Sequence, residues 1–538
     1  MEKLRTLDLP MARRVYGGLV AEKAAQNGDK PFLLFEGKSF SYRDLDRITD
    51  RLASGFHRAG IRFGQHVAIL LNNRPEIVWT YMALAKIGAV SVPVNTAAKG
   101  DLLAYYLNQS QSVTVVVEDG LVERLAAVLP QCSGVASAII AGDASAGDGL
   151  PIPRHSFSEL EQDTGPRPAV TVKYSDVFCL FYTSGTTGPS KGNIMLHSTA
   201  VTGAIGHVEY FGYRPDDVMY ICLPLFHGNA MNTGCMPAFL ADATVALSRR
   251  FSASSFWDEV RATGATQFNL LGSMTNILWN QPPGPKDRQH KVRQCMMVPI
   301  PEFGREFEER FGIKLTSVYA LTDFGNVAML SPKHPPDKFR SGGLPKPEVE
   351  VTIRDDEDNV LSPGTPGEIC LRNRVPWVSS QGYFNMPEAT LKAMRNLWFH
   401  TGDRGYLDED GYVYFVDRVK DAIRRRGENI SSWEVEQIIL RHPDIADAAA
   451  FAVRSEMSED EVMISVVMKP GAKFDPEALV DHCQHHMSYF MVPRFIEAVP
   501  ALPRTMTEKV QKFLLREQAE QRLAEIWDRE KAGIKLVR

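Results

Sequence analysis

The sequence has few cysteines, no long apolar run and no long basic run. Its seven cysteines, at positions 132, 179, 222, 235, 295, 370 and 483, form no Cys-x-x-Cys pair. This excludes a zinc ribbon and gives no sign of a disulfide framework. No segment approaches the roughly 18 uninterrupted apolar residues of a membrane-spanning helix, and the first 17 residues lack the apolar core of a signal peptide. We therefore expect a cytoplasmic protein without a transmembrane segment.

The charge balance and the length restrict the class of protein further. A net charge of −5 without a compensating basic block argues against nucleic acid as a partner. The chain has 538 residues, of which 44% are hydrophobic and 23% charged, as in soluble globular proteins. A chain of this length exceeds a single hydrophobic core, so two or more domains are expected.

Strand-like and helix-like segments alternate through the first half of the chain. Short apolar runs, such as those at 66–71, 113–117 and 137–141, are separated by stretches with helical periodicity, such as 76–87. A second set of strand-like runs lies at 218–223, 244–247, 267–271 and 315–321. This alternation predicts two similar α/β lobes with mostly parallel sheets.

The pattern changes after about residue 345. Alternating segments at 349–353, 367–371 and 412–416, with acidic turns between them, predict a small antiparallel barrel or meander. Another α/β pattern begins near residue 417, after which the charged segment 418–426 could serve as a hinge between two folded units. The predicted domains are residues 1–417 and 418–538.

One loop is the most informative feature of the sequence. The apolar run Val177-Phe178-Cys179-Leu180-Phe181 leads to Thr183-Ser184-Gly185-Thr186-Thr187-Gly188-Pro189-Ser190-Lys191-Gly192. A polyphosphate is bound by hydroxyl groups, by backbone N–H groups that glycine allows to approach closely, and by the positive charge of a lysine. The pattern G-x-x-x-x-G-K-[ST] of nucleoside triphosphatases is not met, because Gly192 follows Lys191.

This loop resembles the phosphate-binding signature of the adenylate-forming superfamily, which includes acyl-CoA synthetases, adenylation domains and luciferases. Five further segments resemble motifs of that superfamily, in the order the superfamily requires: Pro224–His227, Tyr319-Ala320-Leu321-Thr322-Asp323, Trp398-Phe399-His400-Thr401-Gly402-Asp403, Asp417-Arg418 and Leu502–Lys509. Six motifs in the same order over nearly the whole chain make a specific signal. The chain is therefore identified as a member of this superfamily.

The resemblance implies a fold and a reaction. The fold is α/β: a large N-terminal domain of two βα lobes plus a small β-barrel, followed by a smaller, mobile α+β domain. The reaction joins a carboxylic acid to AMP with release of pyrophosphate, and then transfers the acyl group to coenzyme A. ATP, Mg²⁺, coenzyme A and a small carboxylic acid are the implied cofactors and partners, and a homodimer is one candidate for the oligomeric state.

The resemblance also implies a role for individual residues. Lys509 and Thr322 are the expected catalytic groups at the α-phosphate, with His227 beside the acyl site and Asp323 as the Mg²⁺ ligand. ATP and coenzyme A are expected to contact Thr183, Ser184, Gly185, Thr186, Thr187, Gly188, Lys191, Tyr319, Asp403, Arg418, Arg424 and Gly427. Lys420 is the expected hinge between the arrangements for the two half-reactions.

Several positions depart from the superfamily pattern. Asp323 stands where glutamate is usual, Ala320 replaces glycine, and Arg424 replaces lysine. Glu508 replaces the glycine before the catalytic lysine, which makes Lys512 an alternative to Lys509. Residues 296–300 lack the Gly-Gly-Ala-Pro type of turn that usually walls the adenine.

The identity of the acid is less strongly indicated. Segments 249–257 and 282–293 resemble crotonobetaine/carnitine-CoA ligases and also fatty-acid-transport-type and steroid-side-chain acyl-CoA synthetases. The pocket wall implied by the resemblance, residues 227–236 and 269–274 with Val318, is rich in methionine and small residues. No acidic residue lies in 227–240 to pair with a quaternary ammonium or an α-amine. A luciferase-like oxygenase and a ligase with another acyl acceptor remain alternatives to the acyl-CoA ligase.

Overall fold

The computed structural model describes residues 9–183, 190–418, 423–425, 428–430, 432–454, 460–487, 489, 491–504 and 509–536. In chain order, strands β1 to β26 are Pro31–Phe35, Lys38–Ser41, His66–Leu70, Val90–Pro93, Thr114–Glu118, Ser137–Ala141, Arg154–Ser156, Val177–Tyr182, Gly192–Leu196, Val218–Ile221, Thr244–Leu247, Gln267–Leu271, Gln294–Val298, Lys314–Leu321, Gly325–Leu330, Leu344–Pro345, Val349–Arg354, Gly367–Asn373, Phe399–Leu407, Val413–Arg418, Ile423–Arg425, Glu428–Ile430, Ile445–Arg454, Asp460–Met468, Phe495–Ala498 and Trp527–Asp528.

The helices α1 to α16 are Tyr16–Asn27, Tyr42–Arg58, Pro75–Ile87, Gly100–Gln109, Val122–Val128, Phe157–Glu161, His197–Phe211, Gly228–Ala230, Met236–Leu240, Phe256–Thr263, Gly272–Trp279, Gly304–Phe311, Pro387–Ala393, Ser432–Ile439, Pro476–His486 and Lys512–Arg522. Among the residues that the structure describes, no helix is long and apolar enough to cross a membrane.

The chain divides into two compact units. The first consists of the described residues up to 350 together with Asn373–Met394, and the second of Val351–Arg372 and the described residues from 395 onward. The domain boundary expected after residue 417 stays a prediction.

Two large sheets form the first unit and confirm the two predicted α/β lobes. The first sheet has the order β7-β6-β5-β3-β4-β8-β9, with parallel neighbours except for the antiparallel pair β8 and β9. The second has the order β16-β15-β14-β13-β12-β10-β11-β1-β2, parallel in its centre and antiparallel at both ends. All five residues of β6 are buried, as expected for a parallel strand covered on both faces.

Helix α3 shows how the core of the first unit forms. It begins at Pro75, which suits the first turn of a helix, and ends at Gly88, whose φ of 68° is left-handed. Every residue of the helix except Glu76 is buried, which is typical of a helix that is apolar on all sides. Its one basic residue in the last turn, Lys86, is paired with Asp46 at 2.6 Å and Asp50 at 2.8 Å, because a buried ammonium needs partners.

The described part of the second unit contains two four-stranded sheets, besides the two-stranded sheet of β21 and β22. Strands β17-β18-β19-β20 form a four-stranded sheet, a half-barrel, where the hairpin pattern predicted a small antiparallel barrel or meander. Strands β23-β24-β25-β26 form the other sheet. Alternate residues of β23 face opposite sides: Ala448 and Ala450 pack with α14 and α15, whereas Ala449 and Phe451 pack with α16. This is the predicted α+β C-terminal region.

All seven cysteines are free and buried. Burial raises the pKa of the Cys235 thiol to about 12, and burial and the nearby Glu368 raise the pKa of Cys370 to about 12 as well. These thiols are therefore neutral at ordinary pH.

Candidate active site

The phosphate-loop segment connects two antiparallel strands. In the β8–β9 hairpin, Tyr182 lies opposite Gly192. At the mouth of the loop, the backbone N–H of Thr183 donates to the Lys191 carbonyl at 3.0 Å, and the N–H of Lys191 donates to the Thr183 hydroxyl at 3.2 Å. A P-loop instead joins a strand to a helix, so the structure agrees with the sequence in excluding that motif. The expected phosphate-binding residues Ser184, Gly185, Thr186, Thr187 and Gly188 lie outside the described residues.

Helix α4 holds both ends of this hairpin. The Tyr105 hydroxyl donates to the Ser190 carbonyl at 2.6 Å, and the hydroxyls of Tyr106 and Ser190 are 3.2 Å apart. On the other strand, the Tyr182 hydroxyl donates to Gln109 Oε1 at 2.5 Å. Burial raises the pKa of Tyr182 well above its usual value, so this hydroxyl stays a donor. The ends of the loop are thus fixed by side chains of one helix.

Lys191 and Asp323 both contact Tyr383. The Lys191 Nζ lies 4.6 Å from the centre of the Tyr383 ring, within cation–π range. At the other end of the ring, the Tyr383 hydroxyl donates to Asp323 Oδ2 at 2.5 Å. The segment bearing Tyr383 pairs with β9, because the Phe384 N–H donates to the Gly192 carbonyl at 2.8 Å. Sequence reasoning missed Tyr383, since a Gly-Tyr pair in a loop carries no chemical signature of its own.

The turn of a second hairpin lies next to the first. Strands β14 and β15 are joined by Thr322, Asp323 and Phe324. The side-chain amide of Asn193, on β9, donates to the Thr322 carbonyl at 2.8 Å and accepts a hydrogen bond from the Ser380 hydroxyl. Thr322 is exposed and Asp323 is half-buried. The structure therefore brings together Lys191, Thr322, Asp323 and Tyr383. The first three were predicted from the sequence, and Tyr383 was not.

Tyr319 lies just before this turn and is mostly buried in β14. The pairing of β14 with β15 shifts between Tyr319 and Ala320. Such a bulge redirects the residues that follow it and is common beside active sites. Ala320, which stands where the superfamily has glycine, is exposed.

His227 lies at the start of an irregular helical segment. It is half-buried and immediately precedes α8, which continues into a π-helical turn at Met231–Cys235. Turns of this type often occur at functional sites. Behind it, the side-chain amide of Asn269 donates to the Thr233 hydroxyl at 3.0 Å and to Asn229 Oδ1 at 3.2 Å. The expected acyl wall thus contains neutral polar groups among its methionines.

In the second unit, Asp403 follows a backbone turn within β19. Gly402 has a φ of 67°, and Asp403 is only 3% exposed. The N–H of Asp403 donates to the Thr401 hydroxyl at 3.0 Å, and that hydroxyl donates to the Ile369 carbonyl at 2.8 Å. Asp403 lies directly opposite Arg418 of β20. The two residues expected to bind the ribose are therefore cross-strand neighbours.

The two candidate lysines differ in their surroundings. Lys512 Nζ lies 2.8 Å from Glu436 Oε1 and also donates to the Ser432 hydroxyl. Lys509 is exposed. Because Lys512 is held in a partly buried ion pair, Lys509 is the better candidate for a group that must reach a substrate.

The remaining predicted residues lie on or near the β21–β22 hairpin. Arg424 of β21 pairs with Asn429 of β22. Its neighbour Arg425 is buried, with its Nε 2.7 Å from Glu461 Oε2. Lys420 and Gly427, the expected hinge and pantetheine contact, lie outside the part of the chain that the structure describes.

Two family models match the chain. Residues 20–384 match the AMP-binding enzyme family, and residues 434–509 match the AMP-binding enzyme C-terminal domain. The crotonobetaine/carnitine–CoA ligase of Salmonella heidelberg strain SL476 is 34% identical over 501 residues, covering 90% of this chain and 95% of the relative.

Solved structures show the same fold. An anthranilate CoA ligase, AuaEII, in complex with anthranoyl-AMP has a TM-score of 0.86 at 21% identity, covering 97% of this chain and 100% of that one. ATP-bound MatB from Rhodopseudomonas palustris has a TM-score of 0.81 at 24% identity, covering 94% and 99%. The o-succinylbenzoate CoA synthetase of Bacillus subtilis, in complex with ATP and magnesium ion, has a TM-score of 0.78 at 24% identity, covering 93% and 98%.

Proposed function

The chain belongs to the family of AMP-binding enzymes, and from that premise we propose which of its side chains carry the reaction. It is an ATP-dependent, AMP-forming acid–CoA ligase, which activates a carboxylic acid as an acyl adenylate and then transfers the acyl group to coenzyme A. Its co-substrates are ATP and coenzyme A, and Mg²⁺ accompanies ATP. The ligase expected from the motifs is thereby confirmed, and a luciferase-like oxygenase is not favoured.

The first half-reaction needs positive charge and hydrogen-bond donors around the phosphates. A carboxylate oxygen of the acid attacks the α-phosphorus, the bond to the pyrophosphate oxygen breaks, and negative charge grows on the phosphoryl oxygens. Thr183, Lys191 and residues 184–188 are proposed to bind the β- and γ-phosphates. Thr322 is proposed to donate its exposed hydroxyl to the α-phosphate.

Asp323 fits a Mg²⁺ ligand by its chemistry. An ionised carboxylate offers about four acceptor positions on two oxygens, and the Tyr383 hydroxyl occupies one of them. Oxygen ligands are those that Mg²⁺ prefers, and the metal would add charge stabilisation at the phosphates. The hydrogen bond from Tyr383 would fix the orientation of the carboxylate.

One observation carries this assignment: Lys191 and Asp323, distant in sequence, contact the same tyrosine. A cation for phosphate and a carboxylate for a metal are the two charges that an ATP–Mg²⁺ pair requires. Their common contact supports an ATP site at this pair of hairpins.

Further roles follow from the family motifs. Tyr319 is proposed to stack on adenine, Asp403 and Arg418 to bind the ribose hydroxyls, and His227 to lie beside the acyl group. Lys509 is proposed to stabilise charge in the adenylation step. Arg424 and Gly427 are proposed to contact coenzyme A, and Lys420 to act as the hinge.

For the acid, we favour an uncharged acyl tail. The stretch from His227 to Leu240 has no carboxylate, whereas Asn229, Thr233 and Asn269 supply only neutral polar groups. A betaine-type acid is the second candidate, supported by the 34% identity to the crotonobetaine/carnitine–CoA ligase.

A substrate panel tests both the reaction and the acid. Fatty, aromatic, steroid and betaine acids are incubated with ATP and Mg²⁺, with and without coenzyme A, while pyrophosphate release and product mass are recorded. We expect coenzyme A-dependent turnover to an acyl-CoA and AMP for a fatty, aromatic or steroid acid. Turnover confined to crotonobetaine or carnitine would replace the first substrate candidate by the second.

The seven free, buried cysteines support a reducing, cytoplasmic location. A homodimer is the oligomer that sedimentation should test first.

A further inference from the structure

A histidine whose side chain is largely buried contacts two carboxylates in the half-barrel. His400 of β19 has its Nδ1 2.8 Å from Glu368 Oε2 and its Nε2 3.4 Å from Asp358 Oδ1. The His400 side chain is 8% exposed and that of Asp358 12%. Polar groups buried to this degree are held in place by their hydrogen bonds. The imidazole therefore fixes the position of the Glu368 carboxylate.

The other oxygen of Glu368 contacts the backbone beside Asp403. Glu368 Oε1 accepts a hydrogen bond from the Gly402 N–H at 2.9 Å. Gly402 has the left-handed φ of 67° that turns the chain immediately before Asp403. A hydrogen bond from a backbone N–H to a charged carboxylate is about twice as strong as a neutral one. Glu368 thus joins His400 to the turn that determines where Asp403 points.

The same cluster offers ligand atoms for a metal ion. Single donor atoms of Glu368, Cys370 and His400 lie within 4.8 Å of one another. However, both Glu368 oxygens already accept hydrogen bonds, and the Arg395 guanidinium lies 3.4 Å from His400 Nδ1. The cluster is therefore better suited to hold the Gly402 turn by hydrogen bonds than to bind a metal ion.

We propose that Glu368 and His400 are positioning residues that hold the Gly402 turn and so orient Asp403 toward the ribose of ATP. This inference rests on the proposed role of Asp403. A carboxylate accepts hydrogen bonds from both hydroxyls of a ribose only when it is aimed at them. A loosened turn should therefore weaken recognition of the ribose hydroxyls specifically.

The test compares ATP with 2′-deoxy-ATP and 3′-deoxy-ATP. The ratio of kcat/KM for ATP to that for each analogue measures the contribution of one hydroxyl. In Glu368→Ala we expect this ratio to fall about tenfold, the value of one good hydrogen bond, with the KM values for the acid and coenzyme A unchanged. Glu368→Gln keeps an oxygen acceptor for the Gly402 N–H and should restore part of the ratio. Tyr406→Phe, which lies further along β19 and keeps the ring that stacks on Tyr414, is the control and should keep the wild-type ratio.

The outcomes separate this inference from the assignment of Asp403. If Asp403→Asn keeps the wild-type ratio, Asp403 does not bind the ribose and the proposed site is wrong. If the ratio falls in Asp403→Asn but keeps its wild-type value in Glu368→Ala and His400→Gln, only the positioning role is overturned. If Glu368→Ala fails to fold, Glu368→Gln and His400→Gln decide the question. A ratio that changes with added Zn²⁺ in the wild type but not in Cys370→Ser would show a metal site and also overturn the inference.

Discussion

At the scale of single residues, Tyr383 is the side chain that connects the proposed phosphate-binding and metal-binding groups. Its ring lies under the Lys191 ammonium and its hydroxyl binds Asp323. The two contacts involve different parts of the side chain, so they can be removed separately. Substitutions at this one position should reveal what each contact contributes.

We predict that Tyr383→Phe slows adenylate formation about tenfold or more, because a hydrogen bond to a charged group contributes roughly 1.5–3 kcal/mol. Tyr383→Phe keeps the ring that contacts Lys191, whereas Tyr383→Ala removes it. Adenylate formation should therefore be slower in Tyr383→Ala than in Tyr383→Phe. ATP–pyrophosphate exchange measures the first half-reaction, and its Mg²⁺ dependence should shift to higher concentration in both variants. Wild-type exchange and Mg²⁺ dependence in Tyr383→Phe would contradict the proposed role of this hydroxyl.

A second residue-scale prediction separates Lys509 from Lys512. Lys509→Ala should slow adenylate formation about 10²-fold or more, while thioester formation from supplied acyl-AMP is largely spared, since the charge it stabilises develops only in the first step. Lys512→Ala breaks the ion pair with Glu436 and should lower stability with little effect on either half-reaction.

Single-turnover assays of each half-reaction, together with thermal unfolding, check both variants. Lys509 would not be the lysine of the adenylation step if Lys509→Ala slowed both half-reactions equally. The same would follow if only Lys512→Ala slowed adenylation.

At the scale of elements, helix α7 buries two histidines. His197 and His207 are both fully buried. Burial lowers the pKa of His197 to about 3, and burial together with the Lys346 charge lowers the pKa of His207 to about 3. Among the described residues, neither ring nitrogen of His197 has a hydrogen-bond partner. Both rings are therefore neutral in the folded protein.

This pair predicts a pH dependence of stability. An exposed histidine in the unfolded chain has a pKa near 6.5, so between pH 6.5 and 3 the unfolded state binds more protons than the folded state. Stability is thus fully present above pH 6.5 and falls by about 1.4 kcal/mol per pH unit for each histidine as the pH drops through that window. Guanidinium unfolding at pH 7.5 and 5.0 should show the loss, and His197→Phe should reduce it by about 2 kcal/mol. An unchanged pH dependence in His197→Phe would contradict the prediction.

The elements also show what could be predicted from the sequence. Strands Ser137–Ala141, Thr244–Leu247 and Gln267–Leu271 have the bounds that were predicted, because short apolar runs between turn residues leave few alternatives. The pairing of β1 with β11 was not predicted, because it brings together Leu33 and Val245, which are far apart in the sequence. The half-barrel was predicted as a small barrel or meander, because alternation indicates antiparallel strands but does not determine whether the sheet closes.

The candidate site shows the same difference between residues that a local motif predicts and residues that only the fold brings together. Lys191, Thr322 and Asp323 stand in local motifs and could be predicted from them. Tyr383, Asn193 and Glu368 make contacts between distant segments, and a single sequence contains no local signal for such contacts. The residues between 184 and 188 and the expected hinge at Lys420 stay predictions.

At the scale of the whole molecule, the two half-reactions make different demands on the chain. On the proposed assignment, adenylation needs Lys509 at the phosphates, whereas thioester formation needs the coenzyme A thiol at the acyl carbonyl. The resemblance to the superfamily implies that both demands are met by a rotation about a hinge, for which Lys420 is the predicted residue. Such a rotation requires a change in backbone dihedrals at one or a few residues.

We therefore predict that Lys420→Pro separates the half-reactions. Proline holds φ near −65° and removes a backbone donor, so acyl-AMP should form while its transfer to coenzyme A slows by orders of magnitude. Lys420→Ala, which changes only the side chain, is the control and should be much milder. Rapid-quench measurement of acyl-AMP and acyl-CoA distinguishes the two steps, and normal turnover of both in Lys420→Pro would place the hinge elsewhere.

The burial of all seven thiols has a practical consequence for these experiments. Aromatic disulfide reagents such as DTNB react with thiolates that solvent can reach, so the native enzyme should add little background colour. Because the reagent also consumes the coenzyme A thiol, free coenzyme A would be measured in timed samples taken from the reaction, and the native protein would contribute little to the colour. Colour from the protein itself, appearing in a variant before substrate is added, would identify a misfolded preparation before any rate is interpreted.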